Sequence, residues 1–199
     1  MQTTHCSRVI AAFGLALGCA TSAHALSIST SGNLNLNTDI AGTEFALATD
    51  APGLRIWTDS YQGGLNFDPT ITLWKRSGGD ANFVAHNDDD DTIGSGQTAF
   101  DAGLYFAALG AGDYLVTVTA SPYIPTGMQL SQGFEFDPAY GPIAQMAISQ
   151  WNQPSYDINS NNQKGTFWTL NVTAVPEPGT YALLVMGLGV MGWMARRIR

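Results

Sequence analysis

The densest chemistry in the chain lies in five consecutive side chains, Asn87-Asp88-Asp89-Asp90-Asp91. Four adjacent carboxylates repel one another at neutral pH unless water screens them or a cation neutralises them. Ca2+ suits such a run, because it takes about six to eight oxygen ligands in irregular geometry. Asp101 extends the set, and so does Asp68 if the loops between strands meet. The order is not that of an EF-hand, since no D-x-[DN]-x-[DN]-G register is present and no glutamate is suitably placed after Gly94. A solvated acidic hairpin tip accounts for the same residues, so Ca2+ binding and plain solvation both stand as readings.

Catalysis has weaker support. His5 and His24 lie near the N-terminus, in a segment read below as a removable signal, which leaves His86 as the one histidine of the exported part. A two-histidine metal site within one mature chain is thereby excluded. No G-x-S-x-G elbow surrounds any serine. Glu44, Glu135 and the aspartates hold no spacing that selects a glycosidase pair. The expectation is a non-enzymatic protein with no catalytic residues. Flat rings that could meet sugars are supplied by Trp57, Trp74 and Trp151, and also by Tyr123, Tyr140 and Tyr156. The same rings could instead pack a sheet face and a loop.

The elements that must position these groups come from an uneven chain of 199 residues, with 45% hydrophobic and 12% charged residues and a net charge of −8. That is too apolar for intrinsic disorder and too acidic for a basic nucleic-acid-binding face. Met1–Ala25 has Arg8, an apolar core Val9–Ala20 and a closing Ala23-His24-Ala25. This is the layout of a secretory signal peptide, with cleavage predicted after Ala25 and passage through the Sec machinery. Cys6 and Cys19 both fall inside it, so the exported part holds no thiol. A lipidation site at Cys19 is the alternative, although Ala16 stands where a larger apolar residue is usual.

At the other end the chain reads VPEPGTYALLVMGLGVMGWMARRIR. Thr180–Ala195 is uncharged, and Arg196, Arg197 and Arg199 follow. This pattern predicts one transmembrane helix with a stop-transfer end held on the cytoplasmic side. Val175-Pro176-Glu177-Pro178-Gly179, the apolar run and the terminal arginines together resemble the PEP-CTERM sorting signal of Gram-negative bacteria. The resemblance implies recognition by an exosortase, an inner-membrane-anchored intermediate, and transfer to the cell surface or an exopolysaccharide matrix.

The region 26–174 is then the working domain. Up to Val175 it carries fifteen acids against four bases, Arg55, Lys75, Arg76 and Lys164, a balance of −11. Leu54 and Ile56 alternate with Arg55 and Trp57, Tyr114, Val116 and Val118 with Leu115 and Thr117, and Trp168, Leu170 and Val172 with Phe167 and Thr169. Ile71 and Leu73 alternate with Thr70, Thr72 and Trp74 in the same way. Further strands are expected at Glu44–Ala48, Phe83–His86 and Leu104–Ala108, with turns at Gly63-Gly64, Ser77-Gly78-Gly79-Asp80 and Gly110-Ala111-Gly112-Asp113. Period-two alternation with Gly-rich turns predicts an all-β, antiparallel, jelly-roll-like sandwich. Tyr61-Gln62-Gly63-Gly64, Phe67-Asp68-Pro69, His86-Asn87-Asp88-Asp89 and Gly112-Asp113-Tyr114, in that order, are similar to bacterial pre-peptidase C-terminal domains, which are accessory modules of secreted enzymes.

Overall fold

Alternating side chains sort this chain into two sheets that bury one face each against the other. The computed structural model describes residues 25–154, 164–174 and 178–197. Eight strands form the sandwich: β1 (Leu26–Asn33), β2 (Ala41–Leu47), β3 (Ala51–Trp57), β4 (Pro69–Ser77), β5 (Asp80–Asn87), β6 (Gly103–Leu109), β7 (Gly112–Ala120) and β10 (Phe167–Ala174). One sheet runs β1-β10-β3-β6 and the other β2-β7-β4-β5. Every pairing is antiparallel. With the sandwich strands numbered one to eight, the orders 1-8-3-6 and 2-7-4-5 are those of a jelly roll, as the sequence pattern predicts.

The core follows the alternation. Leu54, Ile56, Leu170 and Val172 from one sheet meet Phe45, Ile71, Leu73, Val116 and Val118 from the other. β1 also belongs to the sandwich, although the sequence reading did not mark it. Its inward Leu26 and Ile28 alternate with exposed Ser27 and Ser29, and Leu26 pairs with Ala174 at the far end of β10.

A second, smaller core lies on the outer face of the β2-β7-β4-β5 sheet. The short strands β8 (Tyr123–Pro125) and β9 (Phe134–Phe136) fold over it as a hairpin. Trp74, Ala81 and Leu115 are buried there against Phe83, Leu130 and Phe134. Both faces of β4 are therefore covered, and Pro69 through Trp74 are all buried. Past this hairpin the chain turns back to the main core, where Ile148 and Trp151 are buried.

The C-terminal segment forms a helix, α1 (Pro178–Arg197). Pro178 suits the first helical position, where no backbone N–H is needed. Among the described residues no helix is long and apolar enough to cross a membrane, and the expected transmembrane span rests on the sequence pattern alone. The uncharged run of Thr180–Ala195 rises only about 24 Å as a helix, short of a hydrocarbon core of roughly 30 Å. Glycines 187, 189 and 192 dilute it further.

Candidate functional site

Antiparallel pairing of β4 with β5 brings the residue before β4 close to the residue after β5. Ile71 pairs with Asn87, so Asp68 and Asp88 come together at one end of the sheet. Asp68, Asp88 and Asp89 each place a carboxylate oxygen within 4.8 Å of the others. Asp68 is buried, Asp88 half-buried and Asp89 exposed. β7 contributes from the other side of β4, since Pro69 pairs with Ala120.

The hydrogen bonds hold this cluster in place. Asp88 accepts from the hydroxyl of Thr70 at 2.5 Å and from that of Ser121 at 2.9 Å. The Asp68 backbone N–H donates to Gln153 Oε1, and Gln153 Nε2 donates back to the carbonyls of Asp68 and Ser121. Partial burial and the neighbouring Asp88 carboxylate push the Asp89 carboxyl up to about 6, from an ordinary 3.8. Proximity to another negative charge makes Asp89 reluctant to ionise, and either a proton or a cation relieves that repulsion. All donors here are oxygens, the set a hard cation of the Ca2+ kind prefers.

The acidic run is split by the fold. Asp88 and Asp89 face Asp68, while Asn87 Oδ1 accepts from the Gly103 N–H at 3.1 Å. Asp90 turns back on its own loop and accepts from the Thr92 N–H and hydroxyl. Asp91 is exposed. Asp101 is 0% exposed and lies outside the cluster. Its Oδ1 accepts from Thr58 Oγ1, the Ser60 N–H and the Tyr61 N–H, at 3.1, 2.9 and 3.0 Å. Its Oδ2 accepts from the Thr98 N–H and hydroxyl, at 2.8 and 3.1 Å. Five donors leave this carboxylate little capacity for a metal, and its work is to pin two loops together.

Two of the three tryptophans expected to meet sugars are core residues. Trp74 is 0% exposed and donates from Nε1 to Thr117 Oγ1 at 2.9 Å. Trp151 is 3% exposed and packs against Phe136. A ring of that size on a loop is more stably covered than wet, because its apolar area is large. Trp57 is half-buried beneath Gly94, and its shielded indole nitrogen has no hydrogen-bond partner. Glu44 pairs with Arg76, and His86 is exposed on β5 beside a groove lined by Phe83 and Ile124. Glu135 lies on β9.

The second functional feature is the point where the chain leaves the sandwich. β10 ends at Ala174, which is buried and paired with Leu26, and Val175-Pro176-Glu177 follows with no spacer. The stretch that starts there matches a family model over residues 174–199. That stretch is a PEP-CTERM protein-sorting motif. The PEP-CTERM tail marks an exported chain for exosortase processing through a membrane-anchored intermediate. No curated protein matches the chain.

Within the PEP-CTERM tail, Pro178 and Gly179 open α1, while Arg196 and Arg197 close it and are exposed. Val175, Pro176, Glu177 and Arg199 lie outside the described residues, as does Ala23 of the expected signal cleavage site. Ala25 is described and exposed, directly before β1.

Proposed function

We propose that the protein is a non-enzymatic jelly-roll domain exported through the Sec machinery and handed by an exosortase to the cell surface or an exopolysaccharide matrix of a Gram-negative cell. The carrying observation is the PEP-CTERM motif at residues 174–199, which begins where the last sandwich strand ends. The N-terminal signal peptide and its cleavage after Ala25 belong to the same reading, because Leu26 is already the first residue of β1. Removal of residues 1–25 would leave the sandwich intact. The test is expression of the full chain with and without a cognate exosortase. The expected result is a shorter product only with the enzyme, lost in the triple substitution Pro176→Ala, Glu177→Ala, Pro178→Ala. Products of one size in both hosts would refute the proposal.

A second reading adds Ca2+ at Asp68, Asp88 and Asp89, supported by the convergence of their oxygens within 4.8 Å. A bound cation would relieve the repulsion among these carboxylates and would stabilise the fold by mass action. The measurement is the melting temperature of the full chain with Ca2+ and with chelator. An increase with Ca2+ that disappears in Asp88→Asn supports the site, and equal melting in both conditions removes it.

A further inference from the structure

Neither the sorting tail nor the acidic cluster uses the outward face of the β1-β10-β3-β6 sheet. The strand register places Ser27, Thr173, Arg55 and Tyr105 side by side in one row across all four strands. The next row holds Ser29, Asn171 and Trp57, the last half-buried beneath Gly94, and the one after it Ser31 and Thr169. At about 4.8 Å between strands, each full row spans roughly 14 Å. Ser27, Ser29, Ser31 and Arg55 are exposed, and Tyr105 is 56% exposed.

Charge singles out this face. The exported region carries fifteen acids, yet none stands at an outward position on these four strands. Two acids border the face: Asp59, past the end of β3, accepts from the Thr169 hydroxyl, and the Asp90 carbonyl stands over Gly103, the register partner of Trp57. Of the cations, Arg76 is paired with Glu44, Lys75 donates to the Ala111 carbonyl, and Lys164 is buried and engaged. Among the cations of the described sandwich, only the Arg55 side chain makes neither an ion pair nor a hydrogen bond. Its register partner is the exposed Tyr105.

We infer that this face is a docking surface for an acidic polysaccharide, an extended chain of pyranose rings that carry carboxylates. The Tyr105 ring offers a flat apolar platform to the C–H face of a sugar, and its hydroxyl offers a polar handle. The Arg55 guanidinium presents a planar fork that matches a carboxylate with two parallel hydrogen bonds. The Ser, Thr and Asn rows supply donors and acceptors for ring hydroxyls. An exposed polar row across four strands suits a polymer lying along it better than a small molecule, which needs a concave site. No carboxylate stands in the Ser27–Thr173–Arg55–Tyr105 row, so a ligand along it meets less repulsion than elsewhere on an acidic domain. This binding does not depend on the sorting tail, so it stands or falls separately from exosortase processing.

The test is native gel electrophoresis of the full chain through gels containing polygalacturonate, or neutral dextran as the reference polymer. The expected result is retardation by polygalacturonate, weakened at high salt and weak or absent with dextran. Arg55→Gln and Tyr105→Ala should each reduce the affinity about tenfold, the loss of one charge-assisted contact or one stacking platform. Tyr105→Phe should keep most of the binding, and Tyr140→Ala, at an exposed ring off this face, should keep all of it. Melting temperatures of the variants show whether each remains folded. No retardation of the parent chain overturns the proposal. So does retardation that survives both Arg55→Gln and Tyr105→Ala, or equal retardation by dextran.

Discussion

Removal of the Asp101 carboxylate should cost the fold a large part of its stability, with or without Ca2+. In Asp101→Ala, Thr58, Ser60, Tyr61 and Thr98 together lose five hydrogen bonds to one buried acceptor. Hydrogen bonds to a charged group each contribute about 1.5–3 kcal/mol in isolation, but bonds that share one acceptor do not add. Small shifts of the two loops, or an entering water, recover part of the loss. The expected net loss is about 3–5 kcal/mol, the range for breaking a buried polar network by removal of one member. Asp101→Asn keeps the shape but turns an amide N–H2 towards donors, and should cost about 2–4 kcal/mol. A domain of this size has about 5–15 kcal/mol to lose, so both variants should fold at room temperature. At about 2–4 °C per kcal/mol, the alanine variant should melt on the order of 10 °C lower. Urea unfolding followed by tryptophan fluorescence, with Ca2+ and with chelator, measures the effect. A loss below about 1 kcal/mol would refute the assignment of Asp101 as a structural hub. A loss seen only in the presence of Ca2+ would refute it too, and would return Asp101 to the metal ligands.

Three other outcomes follow from the same geometry. Asp89 has a folded-state pKa of about 6 against an ordinary 3.8, so the folded chain holds that proton more tightly than the unfolded one. Stability should therefore fall as pH rises between those two values and level off above them; Asp89→Asn should flatten that slope, by less than about 1 kcal/mol given solvent screening, as read from unfolding midpoints across that range. A Cβ on Gly94 would stand 2.1 Å from Trp57 Cε2, so Gly94→Ala should cost about 1–3 kcal/mol in urea unfolding, and an unchanged midpoint would show that the loop has room. Trp74→Phe removes the Nε1 bond to Thr117 and part of the second core, and should cost about 2–4 kcal/mol by the same measurement.

The strands legible in the sequence were those whose inward residues are large. Leu54 with Ile56, Val116 with Val118 and Leu170 with Val172 alternate against polar neighbours, and all six are buried. β1 was harder to see, because Ser, Thr and Gly occupy most of its positions and only Leu26 and Ile28 carry the pattern. Trp74 was correctly placed on the outer face of its strand, but alternation says nothing about a hairpin that later folds over that face. Trp151 lies outside any strand, so no periodicity announced its burial. For the acidic cluster, counting back from the Ser77–Asp80 turn almost suffices. A shift of register between Leu73 and Trp74 moves every later pair by one residue, so the count sets Asn87 opposite Thr70 instead of Ile71. Asp101 had a clue of its own in Thr98 three residues earlier, a spacing at which an acid caps a turn locally and does not wait for a ligand.

β10 lies between β1 and β3, and the tail leaves from its end. A tug on that tail is therefore borne by an interior strand held by hydrogen-bonded neighbours on both sides. An edge strand would peel away one rung at a time from a single partner. Here two ladders must give way together, so a tethered domain of this build resists mechanical drag better than its modest size suggests.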